Sequence, residues 1–117
     1  MRRKKWALTY QLQVRWQDMA KSILQKDKKC FYCGSTYGLE EHHCFNNNPN
    51  RALSEKYGLK VWLCHRCHNE PPDGVHFNKY RMAWLKDYAQ IKAMEYYGWS
   101  VDEFISKFGK NYLLEDK

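Results

Sequence analysis

Leu8, Leu12, Trp16, Met19 and Ile23 recur at helical spacing through residues 5–26, a pattern that predicts an amphipathic helix. A period-two alternative, Leu8, Tyr10, Leu12, Val14 and Trp16, would suit a strand. Ala20, Lys21, Leu24 and Gln25 extend the run without a breaker and favour the helix. Residues 29–77 behave differently. Gly34, Gly38, Gly58 and Gly74, together with Asn46 to Asn50 and Pro71-Pro72-Asp73, cut this part into short pieces joined by turns and exclude a long helix. Its apolar runs, Leu39 to Phe45 and Leu59 to Cys64, read as two short strands of an antiparallel hairpin with a long connection. From Asn78 to Tyr97 the helical period returns, with Met82, Leu85, Ala89, Ala93 and then Tyr96 or Tyr97 on one face, and Gly98 as a stop. Ser100 and Glu103 have capping-box spacing ahead of Val101, Phe104, Ile105 and Phe108, which predicts a short last helix ending at Gly109.

These elements make an α+β chain. At 117 residues it fits one compact domain overall. The expected parts are a basic arm and helix over 1–28, a central unit over 29–80 and a helical extension over 81–117. With 28% charged residues, the core is thin and needs reinforcement. A net charge of +7 favours a polyanionic partner, with nucleic acid the leading candidate. No run of about 18 apolar residues is present, and "ALTYQLQVRWQD" is too polar for a signal-peptide core. The expected location is therefore intracellular, with no membrane partner.

Every Cys and every His lies between residues 29 and 77. Inside a cell, paired CxxC motifs are thiolate ligands more often than disulfides. Cys30-x2-Cys33 and Cys64-x2-Cys67 would each form a knuckle, and two knuckles complete the tetrahedral shell of a structural Zn2+. Thirty residues separate the pairs, more than the ~15–20 of a simple ribbon. A zinc that clamps Cys33 to Cys64 would therefore gather His42, His43, His68 and His76 around one small space. Cys44, in an apolar run, reads as a buried small hydrophobe, and His65 as a solvated or phosphate-facing side chain.

The succession of CxxC, "LEEHHCF", "WLCHRCHN" and "GVHFN" resembles the His-Asn-His (HNH) endonucleases of the ββα-metal type, particularly the small group encoded by phages and prophages. "NRALSEKYGLKVWLCHRCHN" and the tail "FGKNYL" are similar to that group too, so the resemblance runs from Cys30 to Leu113. It implies a ββα-metal core, a short hairpin plus helix, and a DNA phosphodiester hydrolase in the cytoplasm of a bacterial host. Phage packaging or recombination proteins are the partners it suggests. It also implies His42 as a metal ligand, His43 as general base and His68 as a second ligand. His76 is the candidate third ligand, with Asn69 competing. The family's central Asn falls where this chain has Tyr57-Gly58-Leu59, so the base would be oriented by a backbone carbonyl or by Asn50.

The chemistry asks for the same groups. Hydrolysis of a phosphodiester needs an activated water and stabilisation of charge on the phosphoryl group and the leaving oxygen. An unligated imidazole, with a reference pKa near ~6.5, can accept the water's proton. A divalent ion (Mg2+, Mn2+, Ni2+ or Zn2+) held by other histidines can polarise the phosphate. Adjacent strand residues project differently, so His42 and His43 can divide these tasks. Arg51, Lys56 and Lys60 flank the expected cleft, and Lys79 and Arg81 open the long helix; these are the candidate DNA contacts. Two other classes remain open. One is a zinc-stabilised nucleic-acid-binding module that does not cut. The other is a phage assembly adaptor using Trp84, Tyr88 and Trp99.

Overall fold

The computed structural model describes residues 21–114. Its centre is a hairpin of β1 (Leu39–His43) and β2 (Lys60–Cys64), antiparallel, with Leu39 opposite Cys64 and His43 opposite Lys60. Both strands are slightly shorter than the apolar runs suggest. One further bond, from Cys44 N to the Leu59 carbonyl (2.9 Å), continues the ladder into the connection. The connection is not merely turns: it contains helix α1 (Asn50–Tyr57), closed by Gly58 in the left-handed region at φ 72°. Ser54 ties this helix to the end of β1 by donating to the Phe45 carbonyl (3.0 Å) and accepting from Phe45 N (3.1 Å).

β2 runs directly into a short helix α2 (His65–Asn69), then a 3-10 turn (Val75–Phe77), the long helix α3 (Lys79–Tyr97) and helix α4 (Val101–Phe108). The mixed α+β architecture and the antiparallel hairpin are as expected, and α2 packs against both strands. Asn78 caps α3, accepting from Tyr80 N and Arg81 N, and Gly98 ends it. Ser100 and Glu103 form the expected capping box of α4. Along α3 the buried face comprises Leu85, Ala89 and Ala93, but Tyr96 is 67% exposed, so the face does not continue through the last turn as its spacing suggests. Buried Asp87 and Gln90 share that helix instead. They bind the segment after α4: Leu114 N donates to Asp87 Oδ1 (3.0 Å) and Tyr112 N to Gln90 Oε1 (2.7 Å).

Most of the helix expected over residues 5–26 lies outside the described residues. Its last positions, Lys21 to Lys26, form bends rather than a helix. The free edge of β2 accounts for this. A strand edge carries unpaired donors and acceptors that need covering. Ser22 Oγ donates to the Lys60 carbonyl (2.6 Å), Trp62 N donates to Gln25 Oε1 (2.9 Å), and Phe31 N donates to the Trp62 carbonyl (2.8 Å). A helical course would turn these groups away from the sheet. No helix among the described residues is long and apolar enough to cross a membrane.

The core joins Val61 and Leu63 of β2 to Leu85 of α3 and to an aromatic group at the foot of β1. There Phe45 packs 5.0 Å from Phe108 and 5.5 Å from Phe104, centroid to centroid. Gly58 lets the edge-covering segment approach: a Cβ at that position would sit 2.5 Å from the Lys21 carbonyl oxygen. Gly58→Ala therefore combines a clash with an unfavourable positive φ. It should lower unfolding free energy by about 2 kcal/mol or more, read as a drop in the urea midpoint at unchanged m-value.

Candidate metal centre and histidine cluster

The Cys30–Cys33 knuckle is shaped by its own backbone. Cys30 N donates to the Ser35 carbonyl (2.8 Å), Gly34 N to the Cys30 carbonyl (2.9 Å), and Cys33 N to Cys30 Sγ (3.4 Å). The second pair straddles the junction of β2 and α2, with Cys64 ending the strand and Cys67 inside the helix. All four sulfurs lie within 4.8 Å of one another. Cys33 Sγ is 3.7 Å from Cys64 Sγ, close to the ~3.8 Å that a tetrahedron with ~2.3 Å Zn–S bonds requires. Burial opposes ionisation of Cys30, yet hydrogen bonds from the backbone at Cys33, Cys64 and Tyr32 outweigh it and lower that thiol to about 6. Burial, with shared thiol hydrogen bonds, pushes Cys67 up to about 12. Four adjacent thiolates would repel one another unless a cation lay among them. The four cysteines suit structural zinc. Cys44 is fully buried and its thiol is pushed up to about 12 by burial, as befits an apolar filler.

β1 alternates, so its two histidines leave on opposite faces. His42 shares a face with Glu40 and meets His68 of α2 and His76 of the 3-10 turn. The ring centroids are 5.2 Å (His42–His68), 5.1 Å (His42–His76) and 4.7 Å (His68–His76) apart. His68 Nε2 and His76 Nε2 approach to 3.1 Å, and the buried His42 Nε2 has no hydrogen-bond partner. Glu40 Oε1 accepts from His68 Nδ1 (2.7 Å) and from Asn69 Nδ2 (3.0 Å), while Oε2 pairs with His65 Nδ1 (3.0 Å). The proton on His68 is thereby fixed at Nδ1, leaving the Nε2 lone pair toward the other two rings. The histidine contacts hold Glu40 below the usual carboxylate range. Burial, then His68, His76, His43 and Lys86, lowers His42 to about 3. Burial and His68 likewise lower His76. His42 is thus neutral around pH 7, the state in which imidazole ligates a metal. Asn69 faces Glu40, so His76 is the third member of this group.

His43 occupies the other face with Glu41. Its Nε2 donates to Glu55 Oε1 of α1 at 2.8 Å, while its buried Nδ1 is unpartnered. Lys60, its cross-strand neighbour, places Nζ 3.0 Å from both Glu55 oxygens and 3.0 Å from Glu41 Oε2. Burial tends to raise Glu55, but His43 and Lys60 together bring it below its ordinary value. Glu41, His43 and Glu55 have spacing compatible with a metal; Lys60 already supplies their positive charge. Asn50, an expected orienter of the base, instead donates to the Phe108 carbonyl (2.9 Å).

Among the expected DNA contacts, Arg51, Lys56 and Lys79 are exposed. Arg81 lies over the Tyr32 ring (4.5 Å), with Nη1 donating to the Asp73 carbonyl (3.4 Å). Lys60 is only 2% exposed and committed to carboxylates, so it does not face a phosphate as expected. Glu40 and Glu55 are the partners that the sequence reading missed. Alternation along "EEHH" could have placed Glu40 beside His42; Glu55, brought in by α1, left no local signal.

Comparison with protein-family models, curated proteins and solved structures finds no match for this chain.

The four cysteines and the three histidines form two separate groups, each with spacing compatible with a metal ion. Wild type loaded with Zn2+ should carry two equivalents by elemental analysis. His42→Ala or His76→Ala should retain one, whereas Cys67→Ser should also lose secondary structure on mild chelation, because structural zinc binding is coupled to folding. One equivalent in wild type would count against the imidazole site.

Proposed function

We propose that this chain is a metal-dependent endonuclease of the His-Asn-His type that hydrolyses DNA phosphodiester bonds. The observation that carries the reading is the convergence of His42, His68 and His76 from three separate elements, next to a fourth imidazole held by a carboxylate. The donor set fits a divalent ion: three imidazoles, one with a buried and unpartnered Nε2, and a carboxylate behind another. An all-imidazole set suits Zn2+ or Ni2+ better than Mg2+. When bound, such an ion supplies Lewis-acid stabilisation of the scissile phosphate and the departing 3′ oxygen.

The remaining work falls to side chains of the opposite face. Glu55 accepts a hydrogen bond from Nε2–H of His43, which leaves Nδ1 with the lone pair. At that atom His43 takes a proton from the attacking water as the new P–O bond forms and the P–O3′ bond breaks, the 3′ oxygen taking up a proton from solvent. Glu55 fixes the ring and compensates the imidazolium that results, as a carboxylate does for histidine in a hydrolytic triad. Lys60 holds Glu55 in place.

One specific arrangement favours a second reading, a zinc-stabilised nucleic-acid-binding module without catalysis. His43 is only 9% exposed, with Nδ1 enclosed, and must become accessible for water to reach it. Plasmid nicking with Zn2+, Ni2+, Mn2+ or Mg2+ distinguishes the two. The nuclease reading expects cleavage by wild type, a loss of about 100-fold or more in His43→Ala, and a smaller loss in Glu55→Gln, all at unchanged metal content. Equal cutting by His43→Ala would remove it as the base, and DNA binding by a wild type that never cuts would favour the module.

A further inference from the structure

Immediately after His76 the chain exposes two large rings, Phe77 at 59% and Tyr80 at 76%, with exposed Lys79 between them. Their backbone is firmly held. Phe77 N donates to the Gly74 carbonyl (2.8 Å), and the Asn78 side chain accepts from Tyr80 N (3.1 Å) and Arg81 N (3.0 Å). Together with Val75, His76, Lys79 and Met82, the two aromatic residues line an open hollow of about 640 Å3, within the ~300–1,000 Å3 typical of ligand sites. His76, one wall of that hollow, also reaches His68 through Nε2 at 3.1 Å. The hollow therefore adjoins the histidine cluster directly.

We propose that Phe77 and Tyr80 form a stacking site for an unpaired nucleobase beside the scissile phosphate, so that the preferred substrate is single-stranded or locally unpaired DNA. This rests on the nuclease reading and narrows its substrate. Aromatic faces next to a cation match a nucleotide in both its parts: the rings accept the flat base and Lys79 attracts the phosphate. Lys79 Nζ lies over the Tyr80 ring, 5.6 Å from its centroid, so a base stacking on Tyr80 takes the face that the ammonium leaves open. Phe77 follows His76 in the chain and lines the same hollow, so the base subsite adjoins the imidazole cluster. In a duplex each base is already stacked and paired; only an unpaired base is free to enter. The chain's +7 net charge adds sequence-independent attraction for either form of DNA.

The test uses full-length, zinc-loaded His43→Ala as background and fluorescence anisotropy with a labelled oligonucleotide, single-stranded or as the matching duplex. Single-strand binding should be tighter. Adding Phe77→Ala or Tyr80→Ala should weaken it about tenfold per stacked base, with duplex binding within twofold, while Tyr80→Trp retains it. Equal weakening toward both forms, or none toward the single strand, overturns the stacking site. A shift from dimer to monomer in these variants by sedimentation also overturns it, by showing that a second copy covers the rings. Cleavage by the chain carrying wild-type His43 is read separately. Ring-dependent single-strand binding without cutting sinks only the nuclease reading, and cutting with undiminished single-strand binding in the ring variants sinks only the stacking site.

Discussion

The junction of four cysteine sulfurs sets where most other groups can go. Cys64 closes β2 and Cys67 sits in α2, so holding both against Cys30 and Cys33 fixes the angle at which chain leaves the sheet. His68 follows Cys67 directly and inherits that direction. The magnitude involved is large relative to the fold. Structural zinc contributes an apparent ~10–16 kcal/mol in small domains, comparable to the ~5–15 kcal/mol of a whole domain's net stability. A chain with a thin core can depend on such a contribution. The strand register then carries the constraint to the far end of the hairpin: with Leu39 set opposite Cys64, His43 must lie opposite Lys60.

Alternation along β1 divides the charged groups into two assemblies, each with a carboxylate behind a histidine. On one face Glu40 orients His68 and neighbours His65 and Asn69; on the other Glu55 orients His43 and is shared with Lys60. The two carboxylates act in different surroundings. Burial opposes ionisation of both: at Glu40 hydrogen bonds from His68 and His65 outweigh it, whereas at Glu55 burial is the largest single influence and His43 and Lys60 overcome it together. A buried lysine beside it reduces that penalty, since an unpaired charge in such a place would be costly. The loss of Lys60 as a DNA contact thus has a structural cause: the ammonium is needed where it is.

What the sequence makes legible follows from the range over which each signal acts. The CxxC spacing, the short apolar runs of the hairpin, the capping box at Ser100 and the stop at Gly98 are local, and each appears in the fold. The grouping of His42, His68 and His76 is also legible once the cysteine pairs are taken to meet. Lys21 to Lys26 are not, because their course is set by the edge of β2, distant in sequence. Helix α1 offers only Ala52, Leu53 and Tyr57 as apolar residues in its eight positions, too few for a clear period. Tyr96 follows the spacing of the buried face yet is exposed, its ring meeting Tyr97 edge-on rather than the core. For Glu55 and Lys60 the missing information is a pairing between separate elements, which neither composition nor periodicity carries.

The carboxy-terminal helices belong to this argument as more than an appendage. Phe104 and Phe108 press on Phe45, two residues after His43, and the Phe108 carbonyl accepts from Asn50 at the start of α1. Ser54 closes the same corner by bonding Phe45 on both sides. The placement of Glu55, one residue further along α1, is therefore set by aromatic packing contributed from the end of the chain. Sulfur fixes the direction of His68 toward His42 and His76, while the aromatic corner fixes the carboxylate that holds His43. The two supports meet in the hairpin, where adjacent residues of β1 answer to each. That division lets a loosened α4 disturb His43 and Glu55 while the thiolate junction and its attached His68 remain in place.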